Sequence, residues 1–231
     1  MAQKSSSKSS KKAEPSALAN LYLIAYNVIQ AFGWSYLLYQ LITYYLGPST
    51  KSLYETVKWS VIIFQNAAVL EVVHAFTGLV RSNPIITAAQ IASRVVVVCG
   101  VLMVTQAARD TVGMPMALLA WSVAEIIRYS TYAFTLLGGV PYFLKWLRYS
   151  TFIVLYPIGV TGEQLCMYAA QKEVGEKQLF SYSLPNSLNF IFSYQYFLIL
   201  VMLTYIPFFP QLYLHMFSQR RKALGDGKKE K

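Results

Sequence analysis

Charged residues are scarce in this sequence. Asp, Glu, Lys and Arg make up 13% of its 231 residues, whereas hydrophobic residues make up 55%. Soluble domains carry roughly 25% charged residues, so an ordinary water-facing surface is excluded. The apolar residues form long runs separated by short charged or Gly/Pro-rich segments, and a membrane-spanning helix needs about 20 such residues. The composition therefore predicts an all-α, polytopic helical bundle embedded in a membrane.

Cysteine and histidine are also rare, with two residues of each. Cys99 and Cys166 lie in apolar segments without the neighbours of a metal site or a disulfide framework, so we expect two packed thiols. Two histidines are too few for the multi-histidine clusters of membrane desaturases. Glu71 and His74 have the Glu-x-x-His spacing of half a di-iron site, but the second half is missing. We expect these two side chains to share a hydrogen bond, and we expect no metal and no other cofactor.

The net charge is +10, and its excess lies at the two ends of the chain. Aromatic residues lie in the apolar runs and not among the basic ones, so the basic ends predict contact with anionic lipid headgroups and no nucleic-acid partner. Residues 1–19 are Ser/Lys-rich, lack the apolar region of a secretory signal, and are predicted to be a disordered basic tail. The last four residues, KKEK, fit the di-lysine pattern for retrieval to the endoplasmic reticulum, with a plain basic tail as the alternative.

Six apolar runs are candidate transmembrane helices. They form a predicted domain over 20–217, which a basic cytosolic tail over 218–231 follows. The third run is short unless residues from Pro84 onward contribute, so five spans is the main alternative. The runs are 20–46, 58–80, 95–108, 114–137, 146–170 and 187–209.

The basic residues between the runs predict the orientation. With six spans, both termini share one side with Arg81, Arg94, Lys145 and Arg148. The opposite side carries fewer basic residues, and acidic ones nearly balance them. The positive-inside rule therefore predicts that both termini are cytosolic.

Ionisable groups inside apolar runs are candidates for function, because a charge in the middle of a bilayer costs several kcal/mol. Glu125 and Arg128 are three residues apart, the spacing at which opposite charges meet on a helix. An internal ion pair explains both residues. The alternative is that Arg128 faces the site and holds an anionic part of a substrate.

The segment LYPIGVTGE, residues 155–163, contains the most informative pair. Tyr156 and Glu163 are seven residues apart, so they share a face of a helix about 10 Å apart along its axis. Pro157, Gly159 and Gly162 favour a kink and a close approach of a neighbouring helix or a ligand. A buried phenol and carboxyl group are suited to proton transfer, as the dehydration of a 3-hydroxyacyl thioester requires. The alternative is a packing notch without chemistry.

Several segments together resemble one known family, the very-long-chain (3R)-3-hydroxyacyl-CoA dehydratases, also called protein tyrosine phosphatase-like A or PASTICCINO2-like proteins. The resemblance covers nearly the whole chain, from about Tyr22 to Leu224. Its landmarks are AYN (25–27), GW (33–34), AAVLEVVHAFTGLVRS (67–82), WSVAEIIRYS (121–130), WLRYS (146–150) and LYPIGVTGE (155–163).

The resemblance implies a six-span protein of the endoplasmic reticulum membrane with both termini cytosolic. It implies the third step of the fatty-acid elongation cycle, which yields a trans-2-enoyl-CoA, with Tyr156 and Glu163 as the catalytic pair. The implied partners are an elongase condensing enzyme, a 3-ketoacyl-CoA reductase and an enoyl-CoA reductase. Phosphatase chemistry is not expected, because the Cys-x5-Arg motif is missing: six residues after the two cysteines stand Thr105 and Lys172.

The working hypothesis is that coenzyme A binds at the cytosolic face near basic residues and that the acyl tail lies between helices. Glu163 would remove the C2 proton and Tyr156 would protonate the leaving hydroxyl, although the reverse assignment stays open. Two other classes compete. A scaffold or regulator of lipid enzymes would use the pair only for packing, and a small-solute transporter would show internal repeats, which the sequence lacks. The proposed substrate-binding residues are Arg81, Arg94, Arg128, Lys145 and Arg148.

Overall fold

Helices make up almost all the regular structure of residues 17–187 and 189–225, the part of the chain that the computed structural model describes. The predicted all-α class is confirmed, and in these ranges the β structure is limited to one antiparallel bridge between Tyr182 and Phe192. A π-helical segment, Val96–Leu102, continues α4. The helices are α1 (Ala17–Leu46), α2 (Leu53–Ala67), α3 (Val69–Phe76), α4 (Pro84–Val95), α5 (Gln106–Arg109), α6 (Gly113–Leu136), α7 (Tyr142–Ser150), α8 (Phe152–Lys177) and α9 (Tyr194–Gly225).

Four helical rods in the described part of the chain are long and apolar enough to cross a membrane. The third rod differs from the prediction of 95–108, because it begins at Pro84 and ends at Leu102. Asn83 caps its first turn by accepting hydrogen bonds from the backbone N–H groups of Ile85 and Ile86, at 3.0 and 3.3 Å. The four rods are α1, α2 with α3, α4 with the π-helical segment, and α9.

The last predicted run, 187–209, also has different bounds. α9 begins at Tyr194 and continues through Pro207 and Pro210 to Gly225, so residues 218–225 of the predicted tail are helical. The di-lysine ending and residues 1–16 of the predicted N-terminal tail lie outside the described residues.

Two further long helices, α6 and α8, form the centre of the fold. α6 packs against α1 on one side and α8 on the other, and α8 also packs against α9. These helices carry Glu125, Arg128 and Glu163, and neither belongs to the four rods that are long and apolar enough to cross a membrane. Neighbouring helices cover Glu125 and Glu163, which are 3% and 8% exposed.

Small residues bring α6 and α8 together. A Cβ atom placed on Gly162 would lie 2.6 Å from the backbone nitrogen of Ala117 and 2.7 Å from the carbonyl oxygen of Gly113. A Cβ atom on Gly159 would lie 3.3 Å from the Cβ of Ala120. The predicted close approach beside the Pro/Gly segment is therefore confirmed, and α6 is the partner helix.

Pro157 lies inside α8 without ending it. Because proline has no backbone N–H, it leaves the carbonyl oxygen of Ile153 without its helical donor. The hydroxyl of Tyr213 on α9 donates to this oxygen at 3.0 Å. The proline thus creates the acceptor by which α9 is attached to the first half of α8.

Candidate active site

Glu163 lies where α6, α8 and α9 meet, and its residue is 8% exposed. The indole nitrogen of Trp121 donates to Oε1 at 2.8 Å, and the hydroxyl of Tyr205 donates to Oε2 at 2.6 Å. Both oxygens of the carboxyl group thus accept a hydrogen bond from a neighbouring helix. Each carboxylate oxygen has two lone-pair sites, so each can still accept another hydrogen bond.

Tyr156 is half-buried against α9. Its ring stacks on Phe209 and Tyr213, with centroid separations of 5.1 and 6.0 Å and interplanar angles of 4° and 10°. Glu163 also contacts α9, through Tyr205. The two side chains therefore share one face of α8, as the seven-residue spacing predicts.

An open, mainly apolar groove of about 390 Å³ runs between α8 and α9 beside this pair. Tyr205 and Phe209, which contact Glu163 and Tyr156 respectively, both belong to its wall. The remaining wall residues are Val160, Gln164, Met202, Leu203 and Ile206.

A partly buried ion-pair network joins α3, α4 and α6. Arg128 donates to Glu125 at 2.6 Å and binds Glu71 through both terminal nitrogens, at 2.7 and 3.0 Å. Arg94 of α4 binds the other oxygen of Glu125, and the Tyr129 hydroxyl donates to Glu71. The predicted Glu125–Arg128 pair is confirmed, and it belongs to a network of two positive and two negative side chains.

The predicted hydrogen bond between Glu71 and His74 is wrong. Glu71 turns towards Arg128, whereas Nε2 of His74 hydrogen-bonds the Tyr22 hydroxyl at 2.9 Å. His74 also packs edge-on against Tyr26, with 5.1 Å between ring centroids. The arginine is the stronger partner for the carboxylate, because it binds both oxygens and balances the charge.

Metal-binding groups of three or more His, Cys, Asp or Glu residues are not found within 17–187 and 189–225. Cys166 is buried and Cys99 is half-buried, and both thiols are free. Cys166 lies 3.8 Å from the Thr111 hydroxyl and Cys99 lies near Asn66. Both cysteines are packed thiols, as the sequence predicts.

The five candidate substrate-binding residues occupy different environments. The guanidinium groups of Arg94 and Arg128 already bind carboxylates in the network. Arg148 packs 4.8 Å from the centroid of the Tyr132 ring and donates to its hydroxyl at 3.3 Å. Arg81, between α3 and α4, and Lys145, on α7, are exposed.

Trp121 connects the network to Glu163. The Arg94 guanidinium lies 5.8 Å from the centroid of the Trp121 ring, whose N–H donates to Glu163. The sequence shows Trp121 four residues before Glu125 on the same helix, but it does not reveal which carboxyl group the indole reaches. Tyr205 is equally hard to select, because it is one of 18 tyrosines.

The fold and site define a class: a helical membrane protein in which a buried carboxyl group and a tyrosine lie beside a groove that opens laterally. The family described as "Protein tyrosine phosphatase-like protein, PTPLA" matches residues 65–226. This chain belongs to that family.

Curated relatives cover nearly the whole chain. The very-long-chain (3R)-3-hydroxyacyl-CoA dehydratase hpo-8 of Caenorhabditis elegans is 49% identical over 91% of this chain and 97% of its own length. Dehydratase 2 of Mus musculus is 44% identical, over 96% of this chain and 87% of its own length. The dehydratase PASTICCINO 2 of Arabidopsis thaliana is 38% identical, over 93% and 98% respectively. No solved structure gives a significant match.

Proposed function

We propose that this chain is a very-long-chain (3R)-3-hydroxyacyl-CoA dehydratase, which eliminates water to give a trans-2-enoyl-CoA in the third step of fatty-acid elongation. The observation that carries the proposal is the Glu163 carboxyl group, held by two donors and sharing a helix face with Tyr156 beside an apolar groove. Relatives with this name, at 38–49% identity, support the same reaction.

Glu163 is the base in this proposal. The indole of Trp121 can only donate, and Tyr205 donates to the other oxygen, so both oxygens of Glu163 act as acceptors in these contacts. Glu163 takes the C2 proton, and the electrons of that C–H bond form the C2=C3 double bond. The C3 hydroxyl leaves as water with the proton of the Tyr156 hydroxyl. Glu163 then releases its proton to water and the Tyr156 phenolate takes a proton from water, which restores both groups.

The acyl tail occupies the groove between α8 and α9 in this proposal. Its wall is apolar, and it opens laterally, so a chain of methylene groups can enter from the lipid. The coenzyme A phosphates lie at the basic end, where Arg81 and Lys145 are exposed and Arg148 is half-buried. Arg148 on α7 and Glu163 on α8 are fifteen residues apart, which would be about 22 Å in one continuous helix, and the pantetheine arm must bridge a distance of that order.

Six membrane spans are part of the proposal, with α6 and α8 as the two spans beyond the four apolar rods. Contacts between helix ends support a path in which successive spans cross the membrane in opposite directions. Tyr22 near the start of α1 bonds His74 near the end of α3, and Ser150 at the end of α7 bonds Arg220 near the end of α9. Both termini then lie at the basic end, which the positive-inside rule assigns to the cytosol.

The proposed location is the endoplasmic reticulum membrane. A 3-hydroxyacyl-CoA arises by reduction of a 3-ketoacyl-CoA, and an enoyl-CoA is the substrate of a further reduction. We therefore propose an elongase condensing enzyme, a 3-ketoacyl-CoA reductase and an enoyl-CoA reductase as partners.

The test is turnover by the purified protein in lipid nanodiscs, with (3R)-3-hydroxyacyl-CoA substrates of increasing chain length. Formation of trans-2-enoyl-CoA, followed by mass spectrometry, is the expected result. A folded, monodisperse protein without turnover at any chain length would favour the alternative of a non-enzymatic scaffold for lipid-synthesising enzymes.

A further inference from the structure

We propose that Tyr205 is a positioning residue for dehydration: its hydroxyl fixes the orientation of the Glu163 carboxylate from the side of α9. The inference rests on the proposed function, because it assigns a role relative to Glu163. Its starting point is the 2.6 Å hydrogen bond from the Tyr205 hydroxyl to Oε2.

Glu163 depends on hydrogen-bond donors from the protein, because little water reaches its carboxyl group. The residue is 8% exposed and lies on a helix that crosses α6 at small, apolar residues. A carboxylate in such a place loses its hydration, and hydrogen bonds from protein groups must replace it. Trp121 supplies one donor and Tyr205 supplies another, one for each oxygen.

The two donors fix the plane of the carboxylate. Trp121 is 2% exposed in the bundle centre, so its indole is a rigid support for Oε1. With a hydrogen bond to one oxygen alone, the plane of the carboxyl group can still tilt, because the other oxygen is not restrained. The Tyr205 hydroxyl removes this freedom at Oε2 and leaves a lone pair on each oxygen for the substrate.

Other hydrogen bonds between α8 and α9 do not involve Glu163. Gln164 of α8 donates to the carbonyl oxygen of Met202 at 3.3 Å, and Tyr213 donates to that of Ile153 at 3.0 Å. These contacts hold α9 against α8 on both sides of Tyr205. Removing the Tyr205 hydroxyl should therefore release the carboxylate without releasing the helix.

The ring and the hydroxyl of Tyr205 have separable roles. The ring belongs to the wall of the groove between α8 and α9, whereas the hydroxyl points to Glu163. Tyr205→Phe keeps the wall and removes the donor. The expected loss is therefore in kcat and not in KM.

The experiment measures kcat and KM of Tyr205→Phe in nanodiscs with a 3-hydroxyacyl-CoA substrate. Hydrogen bonds to charged groups contribute enough to predict a fall in kcat of about tenfold to hundredfold, with KM within about twofold of wild type. Tyr196→Phe is the matched control. Tyr196 is a 71% exposed tyrosine on the same helix, and this change should leave both constants at wild-type values.

A second variant separates the hydrogen bond from packing. Tyr205→4-aminophenylalanine keeps the ring and places an N–H donor where the hydroxyl was, so it should recover most of the kcat that Tyr205→Phe loses. Wild-type kcat in Tyr205→Phe, a loss confined to KM, or failure of the amino variant to recover activity would each overturn the inference. Full activity in Glu163→Gln would instead refute the proposed function.

Discussion

Arg128 should stabilise the bundle and not bind substrate, and its replacement by methionine tests this. The guanidinium group joins Glu125 and Glu71, and the network it completes has two positive and two negative side chains. Arg128→Met leaves Glu71 without a cation and the network with a net negative charge. Breaking a buried ion pair costs about 3–5 kcal/mol, and the 26% exposure of the Arg128 side chain favours the lower end, about 3 kcal/mol.

Adding Glu71→Gln to Arg128→Met tests whether the lost stability comes from the unpaired charge of Glu71. In Arg128→Met with Glu71→Gln, the remaining pair of Arg94 and Glu125 is neutral, so the double variant should be more stable than Arg128→Met alone. The assay is reversible or scan-rate-corrected thermal unfolding in one detergent. A loss of 3 kcal/mol corresponds to a fall in Tm of roughly 6–12 °C for a chain of this size. A fall in Tm of less than about 2 °C would refute the reasoning. So would a double variant whose loss of stability equals the sum of the two single losses, or an increase in KM without loss of stability.

Two further predictions concern the attachment of α8 to its neighbours. Gly162→Ala should destabilise the protein by at least about 2 kcal/mol and lower kcat, because the new Cβ meets the backbone of α6 and moves α8 away from Trp121. The control in the unfolding and turnover assays is Gly225→Ala, where the space around the new Cβ is open. Wild-type stability in Gly162→Ala would contradict the close crossing. Tyr213→Phe should cost about 1–3 kcal/mol in the same unfolding assay, because the Ile153 carbonyl oxygen loses its donor, and an unchanged Tm would contradict that role for the hydroxyl.

The features that were predictable from the sequence are those set by local spacing. The three-residue separation of Glu125 and Arg128 brings opposite charges together on any helix, and the pair is present. The seven-residue separation of Tyr156 and Glu163 puts both on one face, and both contact α9. Glycines beside a proline predict a close helix approach, which occurs at Gly162.

The features that were not predictable depend on which helices become neighbours. Glu71 binds Arg128, 57 residues away, and not its near neighbour His74. Trp121 and Tyr205 each reach Glu163 across 42 residues of sequence. Helix packing decides such contacts. The local sequence around Tyr205 does not distinguish it from the other tyrosines of the chain. The start of α4 was also not predicted, because Asn83 caps a helix that begins at Pro84, eleven residues before the predicted apolar run.

The most direct test compares kcat of Tyr156→Phe and Glu163→Gln with two matched controls on the same helix. Tyr168→Phe and Glu176→Gln make the same chemical changes at exposed positions. General acid–base groups typically contribute about 10²–10⁴-fold, so each site variant should lose at least hundredfold in kcat, while both controls and the folded state of all four proteins stay as in wild type. Turnover at the wild-type rate in either site variant would contradict the account.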